Sequence, residues 1–400
     1  MSRNRVGLVT LGIMLSLFMA SMESTVVSTA MPTIASQLGG LELYSWVFSA
    51  FMLTSTTTVP IYGKLSDLYG RPRVYSAAMA LFLVGSVLCG RATSMTQLII
   101  FRALQGLGAG GVLPLAFIIV ADIFSLEQRA RMQGVFSSVW GISSVVGPLL
   151  GGFLVDQTSW SWVFYVNVIP GLIAWGLVVG AWREPARALR TTPVRVDYLG
   201  AVLLSVTVIM VLLGLAELGT PMGWTLLTLG VVLLGVLAWV ERRATDPILP
   251  LDLFRARLFA VACTQGVLAG WALFGSASFV PLFVQSVLGT SATAAGATLT
   301  PQLIAWVSAS IVGSRLLLRV DYRTLAFVGM VLLTLGMFLL SRISVQTSQF
   351  ALMIYLAFTG LGMGLSIPAF LIAVQSTVRR DQLGTATSTV QFSRSIGGTL

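Results

Sequence analysis

Two charged residues inside apolar runs carry most of the chemistry that this sequence can perform. Glu23 is the only ionisable residue between Val6 and Pro32, a run long enough to cross a bilayer. Arg102 lies in another apolar run, at 97–121. A charge at that depth is costly and persists only with a partner, with water or with a function. Which of these Glu23 has is the main question that the rest of the sequence must answer.

Other kinds of chemistry lack the residues that they need. The chain contains no histidine, and Cys89 and Cys263 lie in apolar runs without metal-ligand spacing. It has no nucleophile–base set and no phosphate-binding loop. We therefore expect no enzyme activity, no metal and no cofactor, and any proton chemistry must fall to carboxylates, arginine-tuned groups or water. The net charge of +10 is spread over many connectors, so we expect no nucleic-acid partner.

The composition predicts an all-α membrane protein. Hydrophobic residues make up 56% of the chain and charged residues 10%, against about 25% charged in soluble domains. We predict membrane helices at 7–31, 44–63, 74–90, 97–121, 132–155, 162–182, 198–216, 224–240, 259–286, 293–314, 324–341 and 350–374. A thirteenth begins near Gly384 and is too short to span by Leu400, so we expect a chain truncated within helix 13, without a helix 14.

The basic residues predict the orientation of the helices. When the connectors are taken alternately, one set holds 20 lysines and arginines, and the other only Arg91 and Arg342. Cytoplasmic loops are the ones enriched in these residues. We therefore expect a multi-pass protein of the plasma (cell inner) membrane with a cytoplasmic N-terminus.

Depth predicts that Glu23 and Arg102 can meet. At 1.5 Å per residue, Glu23 lies about 24 Å above the cytoplasmic start of helix 1, and Arg102 about 8 Å below the outer start of helix 4. Both positions fall in the outer half of about 30 Å of hydrocarbon. A purely structural buried pair is the alternative. We favour a functional pair because the other carboxylates lie nearer the ends of the predicted helices.

An internal repeat predicts two six-helix bundles with an inserted pair of helices. Helix 4 contains GLGAGGVLP at 106–114, and helix 12 contains GLGMGLSIP at 360–368, an offset of 254 residues. Helix 4 thus corresponds to helix 12, which is a shift of eight helices. Two halves of six helices account for a shift of six, so the remaining two helices are an inserted pair. We predict a bundle at 1–182, linkers with the extra pair at 183–258, and an incomplete second bundle at 259–400.

The segment GKLSDLYGRPRV, between helices 2 and 3, combines turn residues with charges. Gly63 and Gly70 permit a tight turn and a close backbone approach. Asp67 can accept hydrogen bonds from a helix N-terminus or an arginine, and Arg71 and Arg73 can pair with neighbouring helices. A basic loop that merely obeys the orientation rule is the plainer interpretation.

This segment resembles the signature loop of the major facilitator superfamily, G-x-x-x-D-[RK]-x-G-[RK]-[RK]. Leu68 and Pro72 stand where the family usually has bases. The resemblance implies that the segment latches the outward-facing state. In helix 4, RALQGLGAGG at 102–111 is similar to the family's R-x-x-x-G-x-G-x-[GA] motif.

Helix 5 contains GISSVVGPLLGG, which resembles the motif of the antiporter branches. Small residues let helices approach closely, and a Gly-Pro step favours a bend. Glycine-rich packing alone is the alternative explanation. The residues of this motif are Gly141, Gly147, Pro148, Gly151 and Gly152.

Three further segments resemble the fourteen-helix drug:proton antiporter branch of multidrug efflux permeases. The end of helix 1 is similar to D-x-T-x-V-x-x-A-L-P, with Glu23 in place of Asp and with Thr25 matching. The stretch 159–171 is similar to SWRWIFYINxPxG, with Ser161 in place of Arg. Helix 2 adds a similar segment that begins at Trp46 and includes Phe51.

The remaining candidates concern the substrate cavity. Arg394 lies about 15 Å into helix 13, where it lines a cavity or extends its charge back toward the interface. Aromatic side chains suit a wall for flat or cationic compounds, although each one singly is better explained by lipid or core contacts. These aromatic candidates are Trp46, Phe51, Trp140, Trp271, Phe274 and Trp306.

The resemblance implies a monomeric secondary active exporter, surrounded by the lipid bilayer, that exchanges protons for amphipathic or cationic drugs. Proton and substrate would compete at Glu23, beside Arg102. Two alternatives stay open: a dedicated exporter of one metabolite or lipid-like molecule, and a non-transporting membrane sensor or scaffold.

Overall fold

The computed structural model describes residues 2–182, 197–244, 247–249, 251–290, 292–317 and 319–399. Within these ranges the chain is helical and contains no β-strand, as the composition predicts. Arg183, Arg187, Arg190 and Arg195 lie outside the described residues. The helices are α1 (Arg3–Leu38), α2 (Tyr44–Tyr69), α3 (Arg71–Cys89), α4 (Met95–Ile123), α5 (Leu126–Gln157), α6 (Trp162–Tyr165), α7 (Val168–Ala181), α8 (Tyr198–Ala216), α9 (Pro221–Glu241), α10 (Arg257–Ser286), α11 (Ala292–Thr298), α12 (Thr300–Leu316), α13 (Tyr322–Ser341), α14 (Gln349–Thr377) and α15 (Leu383–Thr399).

Ten of the described helical stretches are long and apolar enough to cross a membrane. The helix α2 is long but more polar. In α2, the run 54–58 consists of serine and threonine, and the Thr54, Thr57 and Thr58 hydroxyls donate to carbonyls of the preceding turn at 2.6–2.8 Å. A hydroxyl bonded to its own helix leaves no unpaired polar group, so α2 can lie among apolar neighbours despite its composition.

The chain forms two compact units. Unit 1 comprises Met1–Ile123, Ile142–Phe254 and Arg379–Phe392, and unit 2 comprises Phe124–Gly141, Arg255–Val378 and Ser393–Leu400. In unit 1, α4 packs between α2 and α3, α1 packs on α7, and α8 packs on α9. In unit 2, α14 packs on α12, α13 and α10. The predicted boundaries at 1–182, 183–258 and 259–400 stay a prediction.

Glycines of α4 let its backbone touch both neighbouring helices. A Cβ atom built on Gly106 would lie 2.5 Å from the Phe51 carbonyl oxygen of α2, and one on Gly110 would lie 2.3 Å from the Ser55 carbonyl oxygen. A Cβ atom on Gly108 would lie 2.3 Å from the backbone nitrogen of Phe82 in α3. These distances exclude any side chain at the three positions.

The same packing recurs in α14 at the offset of 254 residues. A Cβ atom on Gly360 or Gly364 would lie 2.2 or 2.4 Å from a carbonyl oxygen of α12. One on Gly362 would lie 2.4 Å from the backbone nitrogen of Leu333 in α13. The repeated glycine motif thus corresponds to a repeated three-helix arrangement, with α4 in unit 1 and α14 in unit 2 as the central helices.

Two predicted helices are each divided into a short and a long helix. The stretch predicted at 162–182 forms α6 and α7, and the one at 293–314 forms α11 and α12. Each longer helix has a proline near its start, Pro170 in α7 and Pro301 in α12. Because proline has no N–H to donate to the preceding turn, a continuous helix loses a hydrogen bond there.

We predict that G108A destabilises the protein, whereas G176A does not. The added methyl group in α4 meets the backbone of α3, and overpacking of this kind costs about 1–3 kcal/mol. Gly176 in α7 has no atom within 4 Å of a built Cβ, and alanine favours a helix. The thermal unfolding midpoint in detergent should fall for G108A alone. Equal midpoints would contradict the close contact between α3 and α4.

Candidate functional site

The helices α1 and α4 bring Glu23 and Arg102 together. Arg102 Nη1 lies 2.5 Å from Glu23 Oε1, and each side chain is 1% exposed. The residues are far apart in sequence and meet because α1 packs against α4 within unit 1. A buried ion pair is tolerated only when the remaining hydrogen-bonding groups of both partners are also satisfied.

Side chains and backbone from three helices surround Arg102. Its Nη1 donates to Gln105 Oε1 at 2.7 Å, and its Nε donates to the Val47 carbonyl at 3.3 Å. Its Cζ lies 4.1 Å from the centroid of the Phe51 ring, a cation–π contact. Gln105 in turn donates from Nε2 to Ser86 Oγ at 2.8 Å. The guanidinium is therefore held in one position by α2, α3 and α4.

Asn167 completes the site and was not among the predicted site residues, although it lies in the stretch 159–171 that resembles the antiporter branch. Its Nδ2 donates to Glu23 Oε2, and the residue is 1% exposed. Asn167 lies between α6 and α7, and Gln105 lies one helical turn after Arg102. Amide side chains within otherwise apolar runs were the available signal for both. We call Glu23, Arg102, Gln105, Ser86 and Asn167 the Glu23 cluster.

Asp67 of the signature-like segment lies between an arginine and a helix N-terminus. Its Oδ1 accepts from Arg71 Nη1 at 2.6 Å and from the Gly384 backbone N–H at 3.0 Å. Its Oδ2 accepts from the backbone N–H and the hydroxyl of Thr385 at 2.7 and 2.8 Å. All four residues belong to unit 1. The carboxylate thus ties the end of α2 to the first turn of α15, where the helix dipole favours an anion.

Arg71 extends this set of contacts to α4. Its Nε lies 2.9 Å from Asp122 Oδ2, so one guanidinium bridges two carboxylates. Arg71 and Asp67 are both buried, at 4% exposed. Arg73, which was predicted to pair with a neighbouring helix, is exposed and forms no ion pair with another described residue.

Glycines make the contact between α2 and α15 possible. A Cβ atom on Gly63 would lie 2.8 Å from the Gly384 carbonyl oxygen, and one on Gly384 would lie 2.7 Å from the Gly63 carbonyl oxygen. Gly70 has φ 96°, which favours glycine at the turn between α2 and α3. Gly63 and Gly70 therefore meet two different requirements, close approach and turn geometry.

The glycine motif of α5 packs against the helix that carries Glu23. A Cβ atom on Gly147 would lie 2.0 Å from Thr25 Oγ1, and one on Gly151 would lie 2.1 Å from Thr29 Oγ1. Gly152 has no such neighbour within 4 Å. Gly141 belongs to unit 2, 3.0 Å from Val307 by the same measure. The Pro148 side chain lies outside the described residues.

The other predicted cavity residues are divided between the units. Phe51 is part of unit 1, whereas Trp140, Trp271, Phe274 and Arg394 belong to unit 2. Trp271 and Phe274 are exposed on α10. A cleft of about 840 Å³ within unit 2 is lined instead by residues of α5, of α12 and of the segment after it, among them Arg131, Arg315 and Arg319. The described residues contain no group of His, Cys, Asp and Glu suited to a metal.

We predict that D67N lowers the stability of the protein far more than D381N does. The Asp67 carboxylate accepts four hydrogen bonds, and loss of one partner of a buried ion pair costs about 3–5 kcal/mol. Asp381 pairs with Arg379 at 3.0 Å on the surface, where a pair contributes about 0–1 kcal/mol. Thermal unfolding in detergent compares the two. Similar small losses of stability in both variants would mean that the contacts of Asp67 contribute little to holding α2 and α15 together.

Comparison with known proteins supports the fold and the family. The Major Facilitator Superfamily pattern matches residues 13–400. The chain is 39% identical to the multidrug transporter protein MdtP of Bacillus subtilis (strain 168), over 97% of this chain and 72% of that protein. It is 38% identical to multidrug resistance protein 3 of the same organism, over 98% of this chain and 77% of that protein.

Solved structures with low sequence identity share the fold. The human organic anion transporter MFSD10 (TETRAN) superposes with a TM-score of 0.66 at 16% identity, covering 99% of this chain and 91% of that one. The proton:xylose symporter XylE gives 0.67 at 14% identity, covering 100% and 87%. These matches confirm the predicted all-α membrane fold. The chain therefore belongs to the Major Facilitator Superfamily, a family of multi-pass membrane transporters and not of enzymes.

Proposed function

We propose that the protein is a proton-coupled exporter of amphipathic or cationic compounds, in the fourteen-helix drug:proton antiporter branch. The observation that carries the proposal is the buried pair of Glu23 and Arg102. An ionised carboxylate at membrane depth is a functional candidate by default, and here its partner is known. The names of the two Bacillus relatives, a multidrug transporter and a multidrug resistance protein, support the substrate class.

Competition at Glu23 would couple the two movements. A proton on Glu23 cancels the charge that holds Arg102, whereas a cationic substrate nearby favours the ionised carboxylate. Proton and substrate then favour different states of one site, which is the condition for exchange. Each proton that moves inward supplies about 2.3 kcal/mol per 100 mV of membrane potential. Nothing in this scheme requires a cofactor.

The contacts of Asp67 support a second role, a latch of the outward-facing state. Its bonds to Gly384 and Thr385 join the end of α2 to the start of α15, and they must break if the two helix ends separate. We place the protein as a monomer in the plasma (cell inner) membrane, within the lipid bilayer. The excess of basic residues on one set of connectors supports a cytoplasmic N-terminus.

A dedicated exporter of one metabolite or lipid-like molecule is the principal alternative. It would share the scaffold and differ only in the cavity. A panel of dissimilar lipophilic cations separates the two, because a dedicated exporter ignores most of them. A non-transporting sensor is less well supported, since it has little use for a deep ion pair.

We predict that E23Q abolishes proton-driven export. In inverted membrane vesicles with an acid interior, the wild-type protein should accumulate a fluorescent lipophilic cation. E23Q should reduce this uptake at least about tenfold, to the level of vesicles without the protein, because glutamine cannot bind and release the proton. E42Q is the matched control, since Glu42 is exposed and lies between α1 and α2.

Each outcome of this assay has a distinct meaning. Equal uptake by E23Q and the wild type would place coupling at another residue. Uptake by neither, with folded wild-type protein present, would contradict multidrug export and favour the dedicated exporter.

A further inference from the structure

A short interruption of the helix separates α6 from α7. Asn167 lies in it, and its side-chain amide donates to Glu23. Pro170 follows the interruption and has no N–H to donate to the Val166 carbonyl, which favours a break in the helix there. Gly171 lets α7 approach its neighbours, since a built Cβ would lie 2.5 Å from Leu83 Cδ2 of α3. Asn167 lies at the break, immediately before α7. Asn167 has helical backbone angles (φ −76°, ψ −20°) at this position, and its side chain contacts Glu23.

The two ends of the Asn167 amide are used unequally. Its Nδ2 donates to Glu23 Oε2, whereas its Oδ1 is buried and has no hydrogen-bond partner. Buried polar atoms are nearly always paired, so an unpartnered amide oxygen next to a candidate proton site needs an explanation. The other amide in the cluster differs, because Gln105 accepts from Arg102 and donates to Ser86.

Protonation of Glu23 changes which partner it needs. The ionised carboxylate only accepts hydrogen bonds, but the protonated acid also has an O–H to donate. Arg102 has donors and no acceptor, and both ends of Gln105 are occupied. The remaining titratable neighbour is the Cys89 thiol of α3. Among the described side chains bonded to Glu23, Asn167 alone has an unused acceptor.

We propose that Asn167 is a positioning residue that holds Glu23 in both protonation states. In the ionised state its Nδ2 donates to Glu23 Oε2. When a proton from water binds to Oε2, the amide turns by about 180° about its Cβ–Cγ bond, and Oδ1 accepts the new O–H. Asn167 and Glu23 thus share one hydrogen bond in each protonation state, so the Glu23 side chain keeps its position when it gains or loses the proton. This inference rests on the proposed function of Glu23.

Asparagine labelling tests the proposal in the full-length protein. Asn4 and Asn167 are the only asparagines in these 400 residues, and the Asn167 signal is the one that N167L removes. With a ¹³C-labelled side-chain carbonyl, infrared difference spectra are recorded from high to low pH. The Asn167 carbonyl band should move to lower frequency at acid pH, as Oδ1 begins to accept a hydrogen bond. In E23Q the band should not move.

Two spectral outcomes would overturn the proposal. A band that stays fixed while Glu23-dependent export titrates would make Asn167 a donor only. A band that moves equally in E23Q would report another titrating group. Both outcomes leave the proposed function intact, because export is contradicted only if the wild type exports nothing, and the coupling role of Glu23 only if E23Q exports like the wild type.

Transport provides the second readout. N167L should lower proton-driven export by about tenfold, as expected when a hydrogen bond to a charged group is lost. Q302L is the matched control, since Gln302 is an equally buried amide that bonds Ser276 and Thr359 in unit 2. Export by N167L at the wild-type rate, or an equal loss in Q302L, would contradict a specific role for Asn167.

Discussion

Unit 1 depends on an ion pair that has been taken out of water. Removing a carboxylate and a guanidinium from water is unfavourable by several kcal/mol per ion, and their attraction offsets this only when the remaining polar atoms are satisfied. Arg102 therefore donates to Gln105 Oε1 and to the Val47 carbonyl in addition to Glu23. Asn167 Nδ2 donates to the other carboxylate oxygen, Glu23 Oε2. A change in the charge of Glu23 in α1 consequently alters its hydrogen bonds to Arg102 in α4 and to Asn167 between α6 and α7.

Close helix packing buries the pair of Glu23 and Arg102 and holds it in position. Gly106 and Gly110 bring α4 against α2, and Gly108 brings it against α3. Gly147 and Gly151 bring α5 against the Thr25–Thr29 turn of α1, directly after Glu23. Association in a membrane relies on such contacts, because apolar side chains gain little by leaving lipid. The glycine motifs and the charged pair are thus parts of one arrangement, and neither explains the site alone.

Helical periodicity and charge made much of the fold predictable. Long apolar runs define the helices, and the 254-residue repeat anticipates the matching surroundings of α4 and α14. The rise per residue was enough to place Glu23 and Arg102 at one depth, where they are 2.5 Å apart. The role of the pair in transport stays a prediction.

Three features lay beyond the sequence for physical reasons. Asn167 lies between α6 and α7, where a continuous helix was expected, and its partner Glu23 is 144 residues away in the sequence. The partners of Asp67 on α15 lie more than 300 residues away, so no local spacing could identify them. Trp140, Trp271 and Phe274 were chosen by residue type, which does not determine which face of a helix a side chain occupies.

Substrate-induced proton release tests the central claim most directly. The purified full-length protein is placed in weakly buffered detergent solution with a pH-sensitive dye, and a lipophilic cation is added without any gradient. If proton and substrate compete at Glu23, the cation should release protons from the wild-type protein and none from E23Q. Equal release from both proteins would show that the competing proton lies on another group, and the account built on Glu23 and Arg102 would be wrong.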